Sequence, residues 1–400
     1  MTDTRLRILT FTTLFPNAAK PQHGVFVENR LRHLVATGHV DATVLAPSPW
    51  FPFKGSLFGR YARYARVPGH ETRHGLEIYH PRFIVLPKIG MSIAPSLLYF
   101  GARLALRRLL AQGKVFDLID SHYFYPDGVA AVLLGREFGL PVSITGRGAD
   151  LTQLTDYAIP RRQITWAARR ATSLITVCES LKDDIVDLGI HPARVKVLRN
   201  GIDLALFKPL DRETIRRQLG LTGPTLISVG ELIDRKGHNL VIQAMTKLTD
   251  VTFLIVGQGK ERSALESQVR RLGLGDRVRF VGQVAHENLP LLYNAADVSV
   301  LASSSEGWAN VLLESMACGT PVAATDVSGT PEVICAPAAG TLIERRTPEA
   351  IAETIRRLLA NLPSRAATRA YAEKFSWDAT TEGQLALFDR VLRNGAARRA

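Results

Sequence analysis

The sequence predicts an α/β protein with two doubly wound, parallel-sheet domains. Short strand-like runs alternate with amphipathic helical patterns almost throughout, which is typical of β-α-β units. The chain has 400 residues, more than one ordinary core accommodates. Turn-forming residues cluster at 199–214, in "RNGIDLALFKPLDRET", where the periodic pattern breaks. We therefore expect a first domain over 1–203 and a second over 204–378.

The elements of the first half follow in order. The strand-like "RILTFTTLF" precedes the helical "GVFVENRLRHLVATGH" and the strand "DATVLAP". The strands "VFDLIDSH" and "PVSITGRG" flank the helix "DGVAAVLLGREFG", and "ATSLITVCES" predicts a strand before another helix.

The second half repeats this alternation. "TLISVGE" precedes the helix "HNLVIQAMTKL", and "TFLIVGQG" precedes "KERSALESQVRRLG". "FVGQVAHENLPLLY" is typical of a strand, loop and helix, and "ADVSVLAS" precedes a helix around Glu314. "TPVAATDV" is the last clear strand. Because parallel sheets bind ligands beyond the carboxyl ends of their strands, residues that follow strands are the candidates for chemistry.

Composition indicates a globular, intracellular chain. Hydrophobic residues make up 46% of it, which is typical of globular proteins. The three cysteines, Cys178, Cys318 and Cys335, form no C-x-x-C pair and suit buried positions in a reducing compartment. The N-terminal "MTDTRLRILTFTTLFP" has neither the apolar core of a signal peptide nor a spanning helix, so we expect a cytoplasmic protein.

Positive charge is concentrated in residues 54–114, which hold 11 basic and 2 acidic residues, whereas the whole chain carries +13. Basic residues interleaved with Trp, Phe and Tyr suit an anionic membrane surface. Nucleic acid would be attracted to the same charge, but no helix-turn-helix, RNP or zinc pattern supports it, so we expect no nucleic-acid partner. A solvated basic face over core aromatics is the alternative.

The stretch "SSSEGWANVLLESMACGTPV", residues 303–322, places a loop between a strand and a helix. The N–H groups and positive dipole end of such a helix suit a phosphate. Glu306 and Glu314 are eight residues apart, about 12 Å along a helix, so they suit two parts of one nucleotide-sized ligand. We expect Trp308 to be exposed. The alternative is a helix capped by Ser303–Ser305 with ordinary acidic residues in its first turns.

Other strand ends carry further candidates. Lys236 and Arg235 follow "LISVGELID", where cationic side chains would neutralise a departing diphosphate. The alternative is ordinary loop charge. "FLIVGQG" lacks the third Gly of a dinucleotide fingerprint and suits a packed turn.

In the first half, Gly24 opens a helix, and strands end at His122–Tyr123 and at Arg147. The acid–base candidates here are Asp120, Asp127, Asp150 and His122. We find no Ser-His-Asp order, metal-ligand cluster or P-loop.

The chain resembles, over nearly its whole length, the family 4 retaining glycosyltransferases of the GT-B fold. The most specific segment is "SSSEGWANVLLESMACGTPVAATDVSGTPEVI", which is similar to the family's E-x7-E signature. "VGELIDRKGHNLVIQA" and "VLRNGIDLALFKP" also fit. "LFPNAAKPQHGVFVENRLRHLVATGH" and "EGWANVLLE" are similar to the exopolysaccharide and teichuronic-acid branch.

The resemblance implies two Rossmann-like domains facing across a cleft that closes to exclude water. Residues 1–203 would bind the acceptor, 204–378 the nucleotide-sugar, and the helix in 379–400 would cross back to the first domain. It implies retaining transfer from a UDP-, GDP- or ADP-sugar, with no obligatory metal, to a glycan or polyprenyl-linked acceptor in cell-surface polysaccharide biosynthesis. The basic, aromatic segment 54–114 adds the expectation that the protein is peripheral on the inner face of the plasma membrane. The alternatives are a GT-B sugar-nucleotide epimerase and a non-catalytic nucleotide- or glycan-binding protein.

The resemblance also implies residue roles. Glu314 would bind the ribose hydroxyls, Glu306 the transferred sugar, and Lys236 with Arg235 the diphosphate. The backbone of Val284 would contact the base. The remaining donor contacts would come from Gly24 and from the N–H groups of Gly307, Trp308, Ala309 and Asn310. His122, Tyr123 and Asp150 would lie on the acceptor side.

Two positions depart from the family pattern. Many members have Arg where this chain has Glu231, so either Arg235 substitutes or Glu231 turns away. Many have His where this chain has Arg147, whose charge would assist the leaving group.

Overall fold

The computed structural model describes residues 5–53, 55, 57, 59–85 and 90–397, and for 59–61 and 394–397 only the backbone. The chain divides into two compact units. Unit 1 is Met1–Arg199 with Asp378–Ala400, and unit 2 is Asn200–Trp377.

Unit 1 is built on a predominantly parallel sheet. Its strands are β1 (Leu6–Phe11), β2 (Val40–Leu45), β3 (Ser48–Pro49), β4 (His70–Arg73), β5 (Leu76–Tyr79), β6 (Arg82–Phe83), β7 (Leu118–His122), β8 (Val142–Gly146), β9 (Ser173–Thr176) and β10 (Val195–Val197). Its helices before the second unit are α1 (Val25–Ala36), α2 (Gly59–Ala65), α3 (Gly90–Ala111), α4 (Val129–Phe138), α5 (Ala149–Thr152), α6 (Ala158–Arg170) and α7 (Glu179–Asp187). The strand order is β10-β9-β8-β7-β1-β2-β5-β4, with β4 antiparallel, and β3 pairs separately with β6. The order reverses between β1 and β7, where a doubly wound sheet opens a crevice at its carboxyl edge.

Unit 2 is built on a parallel sheet. Its strands are β11 (Thr225–Val229), β12 (Thr252–Val256), β13 (Val278–Gly282), β14 (Val298–Leu301), β15 (Val322–Thr325) and β16 (Gly340–Ile343). Its helices are α8 (Arg212–Gln218), α9 (His238–Ala244), α10 (Arg262–Arg271), α11 (Leu289–Ala295), α12 (Asn310–Ala317), α13 (Thr330–Val333), α14 (Pro348–Ala360) and α15 (Arg365–Ala372). The order β13-β12-β11-β14-β15-β16 reverses between β11 and β14. The strands are almost wholly buried near this reversal, so they consist of continuous apolar runs.

The last helix, α16 (Asp378–Ala397), belongs to unit 1. Its Phe388 is fully buried in an apolar cluster with Ile8 of β1, Val27 of α1 and Val44 of β2. Burial of a Phe side chain supplies roughly 1.5–3 kcal/mol. The last helix of the chain therefore completes the core that the first strands begin.

The predicted α/β class with two parallel-sheet units is confirmed. The parts that were missed include the β4–β5 hairpin, helices α3, α6, α14 and α15, and β16 after the expected last strand. β4 is a polar edge strand with no buried residue, and β16 has four residues of which one is buried. Neither carries the apolar run by which a strand is recognised.

Gly24 and Gly38 flank α1 and offer a matched pair. Both have left-handed φ, +77° and +76°, which disfavours any side chain. A Cβ on Gly24 would lie 2.3 Å from the carbonyl oxygen of Leu14, whereas a Cβ on Gly38 would meet no atom of the described residues within 4 Å.

We expect Gly38→Ala to lower the free energy of unfolding by about 1–2 kcal/mol, the cost of the left-handed conformation. Gly24→Ala should cost about 1–3 kcal/mol more because of the collision with backbone. Urea unfolding of both variants checks this, and equal losses would contradict the close approach at Leu14.

Candidate functional site

The carboxyl edge at the β11–β14 reversal of unit 2 brings two predicted residues together. β11 and β14 are adjacent and parallel, so the segments that follow them emerge side by side. Lys236 ends a short 3-10 turn after β11, and Glu306 lies in the loop between β14 and α12. Both residues were predicted from their positions after strands.

Glu306 is a buried, ionised carboxylate. Its Oε1 accepts hydrogen bonds from Lys236 Nζ at 2.6 Å and from Ser303 Oγ at 2.6 Å. Arg235 Nη1 lies 3.7 Å away. Burial favours the neutral acid, but the charge and hydrogen bond of Lys236, with Ser303 and Arg235, outweigh it and lower the pKa of Glu306. The carboxylate is therefore held charged inside the protein.

Close backbone packing and two arginines hold these loops. Gly237 has φ +69°, and a Cβ there would lie 2.0 Å from the carbonyl oxygen of Ala302. Arg346 donates to the carbonyl oxygens of Ala302 at 2.8 Å and Asp234 at 3.0 Å. Arg235 donates to the carbonyl oxygen of Ser305 at 2.7 Å. Arg346 was not predicted, because nothing in a single sequence shows which carbonyl a distant arginine reaches.

Glu314, inside α12, is also buried and hydrogen-bonded. Its Oε2 accepts from the Tyr293 hydroxyl at 3.0 Å, and its Oε1 lies 3.1 Å from His286 Nε2. Burial tends to lower the pKa of His286, but the hydrogen bond and charge of Glu314 raise it overall. Phe207 packs edge-on against the His286 ring, with 5.1 Å between centroids. The segment "VAHENLPLLY" was predicted to be a loop and helix, but its two contacts with Glu314 were not foreseen.

The loop before α12 shows neither the helix cap by Ser303–Ser305 nor the exposed Trp308 that were expected from the sequence. No side chain of the described residues caps α12, and the Ser303 hydroxyl binds Glu306 instead. Trp308 is 6% exposed, not surface-lying as expected. Its Nε1 donates to the carbonyl oxygen of Asn200 at 3.1 Å, and its ring lies 6.0 Å from that of Phe375. An indole whose N–H has a hydrogen-bond partner is readily buried. The polar residues beside Trp308 in the sequence gave no sign of this burial.

The other predicted donor residues occupy the same edge or lie near it. Gly307 and Ala309 are buried in this loop, and the N–H of Asn310 donates to the carbonyl oxygen of Trp308 at 3.0 Å. Val284 is half-buried in the segment after β13. Glu231 is exposed.

The reversal in unit 1 also assembles predicted residues. Gly24 opens α1 after β1, His122 ends β7, and Arg147 follows β8. The Arg147 guanidinium lies 5.4 Å from the ring centroid of Phe26, the second residue of α1. Arg147 Nη2 also lies 2.6 Å from His122 Nδ1. A guanidinium only donates, so Nδ1 accepts and the imidazole proton is on Nε2, 3.3 Å from Asp120 Oδ2.

The His122 imidazole is neutral. Burial, together with the positive charges of Arg147 and Arg30, lowers its pKa to about 4, although Asp120 opposes this. Both ring nitrogens face partners, so the arrangement suits an orienting residue rather than a proton acceptor.

Asp150 and Tyr123 shape the two strand ends. Asp150 accepts from the N–H groups of Phe124 at 2.7 Å, Arg147 at 3.1 Å and Gly148 at 2.8 Å. Its carboxylate thus holds the Arg147 loop against the end of β7. Tyr123 has φ +84°, a strained conformation for a tyrosine of the kind that persists where surrounding structure imposes it.

Asp127 fixes the segment that leads from β1 to Gly24. Its fully buried carboxylate accepts from the N–H of Thr13 and, at 3.1 Å, from the Thr13 hydroxyl. Burial raises the pKa of Asp127 to about 7 despite these hydrogen bonds. Asp127 was predicted as an acid–base candidate, and the structure assigns it a loop contact.

Metal-ligand clusters and membrane-crossing helices are both absent from the described ranges. These ranges contain no group of three or more His, Cys, Asp or Glu placed to hold a metal ion. None of the helices there combines the length and apolar character required to cross a bilayer.

Comparison with known proteins identifies the family. The family model "Glycosyltransferase Family 4" matches residues 23–206, and "Glycosyl transferases group 1" matches residues 211–375. A D-inositol 3-phosphate glycosyltransferase of Mycolicibacterium vanbaalenii is 32% identical over 315 residues, 71% of this chain and 69% of that protein. The chain belongs to glycosyltransferase family 4.

Two further likenesses accompany this assignment. A putative teichuronic acid biosynthesis glycosyltransferase, TuaC of Bacillus subtilis, is 28% identical over 88% of this chain and 89% of its own length. The crystal structure of Anabaena HepE in complex with UDP and glucose has a TM-score of 0.73 at 20% identity, covering 96% of this chain and all of that one. This glycosyltransferase therefore has the GT-B fold that the resemblance implied.

Asp127 makes the stability of the glycosyltransferase depend on pH. Its pKa is about 7 in the folded chain and ordinarily 3.8, so between these values the folded chain keeps a proton that the unfolded chain has lost. The contribution of Asp127 to the free energy of unfolding therefore falls as pH rises from about 4 to about 7.

We expect Asp127→Asn, which mimics the protonated acid, to gain stability relative to the native chain over this window, by about 1.4 kcal/mol per unit of pKa difference. Urea midpoints measured between pH 5 and 8 check this. Asp117→Asn is the control of opposite sign: Arg7 outweighs partial burial and lowers the pKa of Asp117, so this variant should lose most at neutral pH. A parallel pH response of the two variants would contradict the assignment.

Proposed function

We propose that this glycosyltransferase moves a sugar, with retention, from a nucleoside-diphosphate sugar on unit 2 to a glycan or lipid-linked acceptor bound by unit 1, in cell-surface polysaccharide biosynthesis. The observation that carries the proposal is the ion pair at the β11–β14 edge between the buried Glu306 and the partly buried Lys236. Keeping a carboxylate charged inside a protein is costly, and such groups are common at sites that bind charged ligands.

Lys236 and Arg235 would bind the diphosphate. Both cations lie on one turn, and both face the loop that carries Glu306. A diphosphate would replace Glu306 as the main partner of Lys236, and the positive end of the α12 dipole adds to the attraction. As the bond to the sugar breaks, negative charge accumulates on the departing phosphate, and fixed cations stabilise it there.

Glu306 would then accept hydrogen bonds from the sugar. Its pKa is already lowered, so it is ionised before the donor arrives. A carboxylate beside the anomeric carbon also stabilises the positive charge that develops on the ring as the bond breaks. Retention follows if the acceptor attacks the face from which the nucleoside diphosphate leaves.

Glu314 would bind the ribose. The contacts with Tyr293 and His286 fix the carboxylate in one orientation, and each oxygen keeps a second lone pair for a hydroxyl. Val284 would contact the base through its backbone, and the N–H groups of Gly307, Trp308 and Ala309 would approach the phosphates and sugar. The N–H of Asn310 is already bound to the carbonyl oxygen of Trp308. The presence of UDP and glucose in the HepE complex supports a nucleotide-sugar donor.

Unit 1 would orient the reactants rather than supply a strong base. His122 is neutral with both nitrogens engaged, and Arg147 brings a positive charge next to it. Tyr123 and Asp150 hold the surrounding backbone. The contribution of unit 1 is therefore charge and positioning. The family assignment favours transfer over the epimerase and the non-catalytic alternatives.

We also propose that the acceptor is reached at an anionic membrane surface. Ile93, Phe100 and Leu104 of α3 are 41–58% exposed, and their spacing places them on one helical face. Arg107 and the exposed Arg108 follow at its C-terminal end. Apolar residues flanked by cations suit a helix lying in the interface plane.

Charge pairing reduces the basic excess of this segment. Arg103 and Arg107 pair with Glu137, and Arg73 pairs with Glu28. Lys54 and Lys88 lie outside the described residues. The apolar stripe of α3 therefore supports membrane contact more strongly than the net charge does.

We expect Lys236→Met and Glu306→Gln each to lower kcat by at least about 100-fold, because each removes a group that stabilises developing charge. Lys236→Met also leaves the buried Glu306 carboxylate without its main partner, at a cost of about 3–5 kcal/mol in stability, whereas Glu306→Gln should cost less because Lys236 is partly exposed. The double variant should recover stability but not activity. A thermal-shift screen of UDP-, GDP- and ADP-sugars selects the donor for these assays.

Lys247→Ala is the control, since its exposed ion pair with Glu349 lies on the surface of unit 2. It should retain native kcat and stability. Native transfer rates in both single variants at the Lys236–Glu306 pair would remove the site assignment.

The membrane proposal is tested with vesicles. We expect the native chain to sediment with vesicles containing anionic lipid and less with neutral ones, and Phe100→Ser with Leu104→Ser to reduce sedimentation by about tenfold or more, since each exposed side chain loses apolar contact. Leu291→Ser, at a residue 45% exposed on unit 2, is the matched control. Binding that ignores anionic lipid, or that both kinds of variant weaken equally, would contradict the proposal.

A further inference from the structure

Helix α16 carries a buried polar residue, Gln384, that the proposed chemistry does not use. It is 1% exposed. Its Nε2 donates to Asp120 Oδ2 at 3.0 Å, and its Oε1 accepts from Arg30 Nε at 2.7 Å. An amide in this position joins the last helix of unit 1 to a strand 264 residues away in sequence.

The orientation of this amide is fixed by its neighbours. Arg30 has only donors, so the Gln384 oxygen must face it, and the NH2 group then faces the carboxylate of Asp120. Arg30 is itself held, because its Nη1 donates to the carbonyl oxygen of Leu198 at 3.1 Å. Burial lowers the pKa of Arg30 to about 10, opposed by Asp120, so the guanidinium remains charged at neutral pH.

Asp120 depends on Gln384 for its position. Its Oδ2 accepts from Gln384 and lies 3.3 Å from His122 Nε2. Its Oδ1 has no hydrogen-bond partner in the part of the chain that the structure describes. Gln384 and His122 are thus the hydrogen-bonding neighbours that orient this fully buried carboxylate.

The chain of contacts ends at the strand-end pair. Asp120 accepts a hydrogen bond from the Nε2–H of His122, which leaves Nδ1 to accept from Arg147 at 2.6 Å. If Asp120 turns away, the opposite imidazole tautomer becomes accessible, and that tautomer presents an N–H to a guanidinium that cannot accept it. The orientation of Arg147 therefore depends on a contact made by α16.

We propose that Gln384 is a positioning residue, which acts through Asp120 to fix the His122 tautomer and thereby the Arg147 guanidinium. Its effect on catalysis rests on the proposed function, in which Arg147 and His122 orient the reactants. Its effect on the His122 tautomer does not depend on the proposed function.

The test compares three variants. Gln384→Met removes both hydrogen bonds at nearly constant volume. Gln384→Glu keeps an oxygen for Arg30 but places a carboxylate against Asp120. Phe388→Leu is the control on the same helix, because it loosens the apolar docking of α16 and changes no polar contact.

The first readout is the tautomer of His122, measured by NMR of the chain labelled with 15N-histidine and assigned by loss of the signal in His122→Gln. We expect a pure Nε2–H form in the native chain, mixed forms in both Gln384 variants, and the native form in Phe388→Leu. The charged groups that act on this ring are Asp120, Arg147 and Arg30, and Gln384→Glu adds a fourth.

The second readout is steady-state kinetics. We expect both Gln384 variants to lower kcat by about 10- to 100-fold with the donor KM little changed, as for a small misplacement of a catalytic group. Phe388→Leu should lose thermal stability but keep its kcat per folded molecule.

Three results separate the possibilities. A native tautomer and kcat in Gln384→Met would overturn the inference, as would effects matched by Phe388→Leu. If the tautomer stayed native in Gln384→Glu but changed in Gln384→Met, the proposed action of Gln384 through Asp120 would be overturned. A changed tautomer in a chain without transferase activity would support the positioning contact and remove the proposed function.

Discussion

The ion pair between Lys236 and Glu306 is the interaction on which the carboxyl edge of unit 2 depends. Its two members come from segments that follow adjacent parallel strands, and they meet because the strand order reverses between β11 and β14. The backbone has no room to separate them, since Gly237 packs directly against the carbonyl of Ala302. A charged site inside unit 2 is thus a consequence of sheet topology and one close backbone contact.

Unit 1 uses the same topology with a different electrostatic arrangement. The adjacent parallel strands β7 and β8, next to the reversal between β1 and β7, place His122 beside Arg147, and burial of this pair keeps the imidazole neutral. In unit 2 a carboxylate is stabilised in its charged form by a lysine, whereas in unit 1 a histidine is stabilised in its uncharged form by burial, with a contribution from an arginine. The edge of unit 2 suits the binding of anions and hydroxyl groups, whereas the edge of unit 1 suits side chains held in a fixed orientation.

Residues after strands could be predicted from sequence, because the alternation of strands and helices determines which loops lie at the carboxyl edge. Glu306, Lys236, His122 and Arg147 were found in this way. Their partners could not be predicted, since Ser303 binds Glu306 instead of capping a helix, and Gln384 reaches Asp120 from the far end of the chain. Such contacts depend on side-chain direction and on packing between distant elements, which a periodic pattern does not contain.

Glu231 stands where many members of the family have Arg, and the positive charge of that Arg can be supplied from another position. Electrostatic stabilisation depends on distance and on dielectric environment, not on position in the sequence. Glu231 is exposed, where water and salt screen its charge. Arg235, on the same turn as Lys236, donates to the loop of Glu306 and lies 3.7 Å from its carboxylate. We infer that Arg235 supplies the second cation of the diphosphate site, because its guanidinium is already held at the edge where the negative charge would develop.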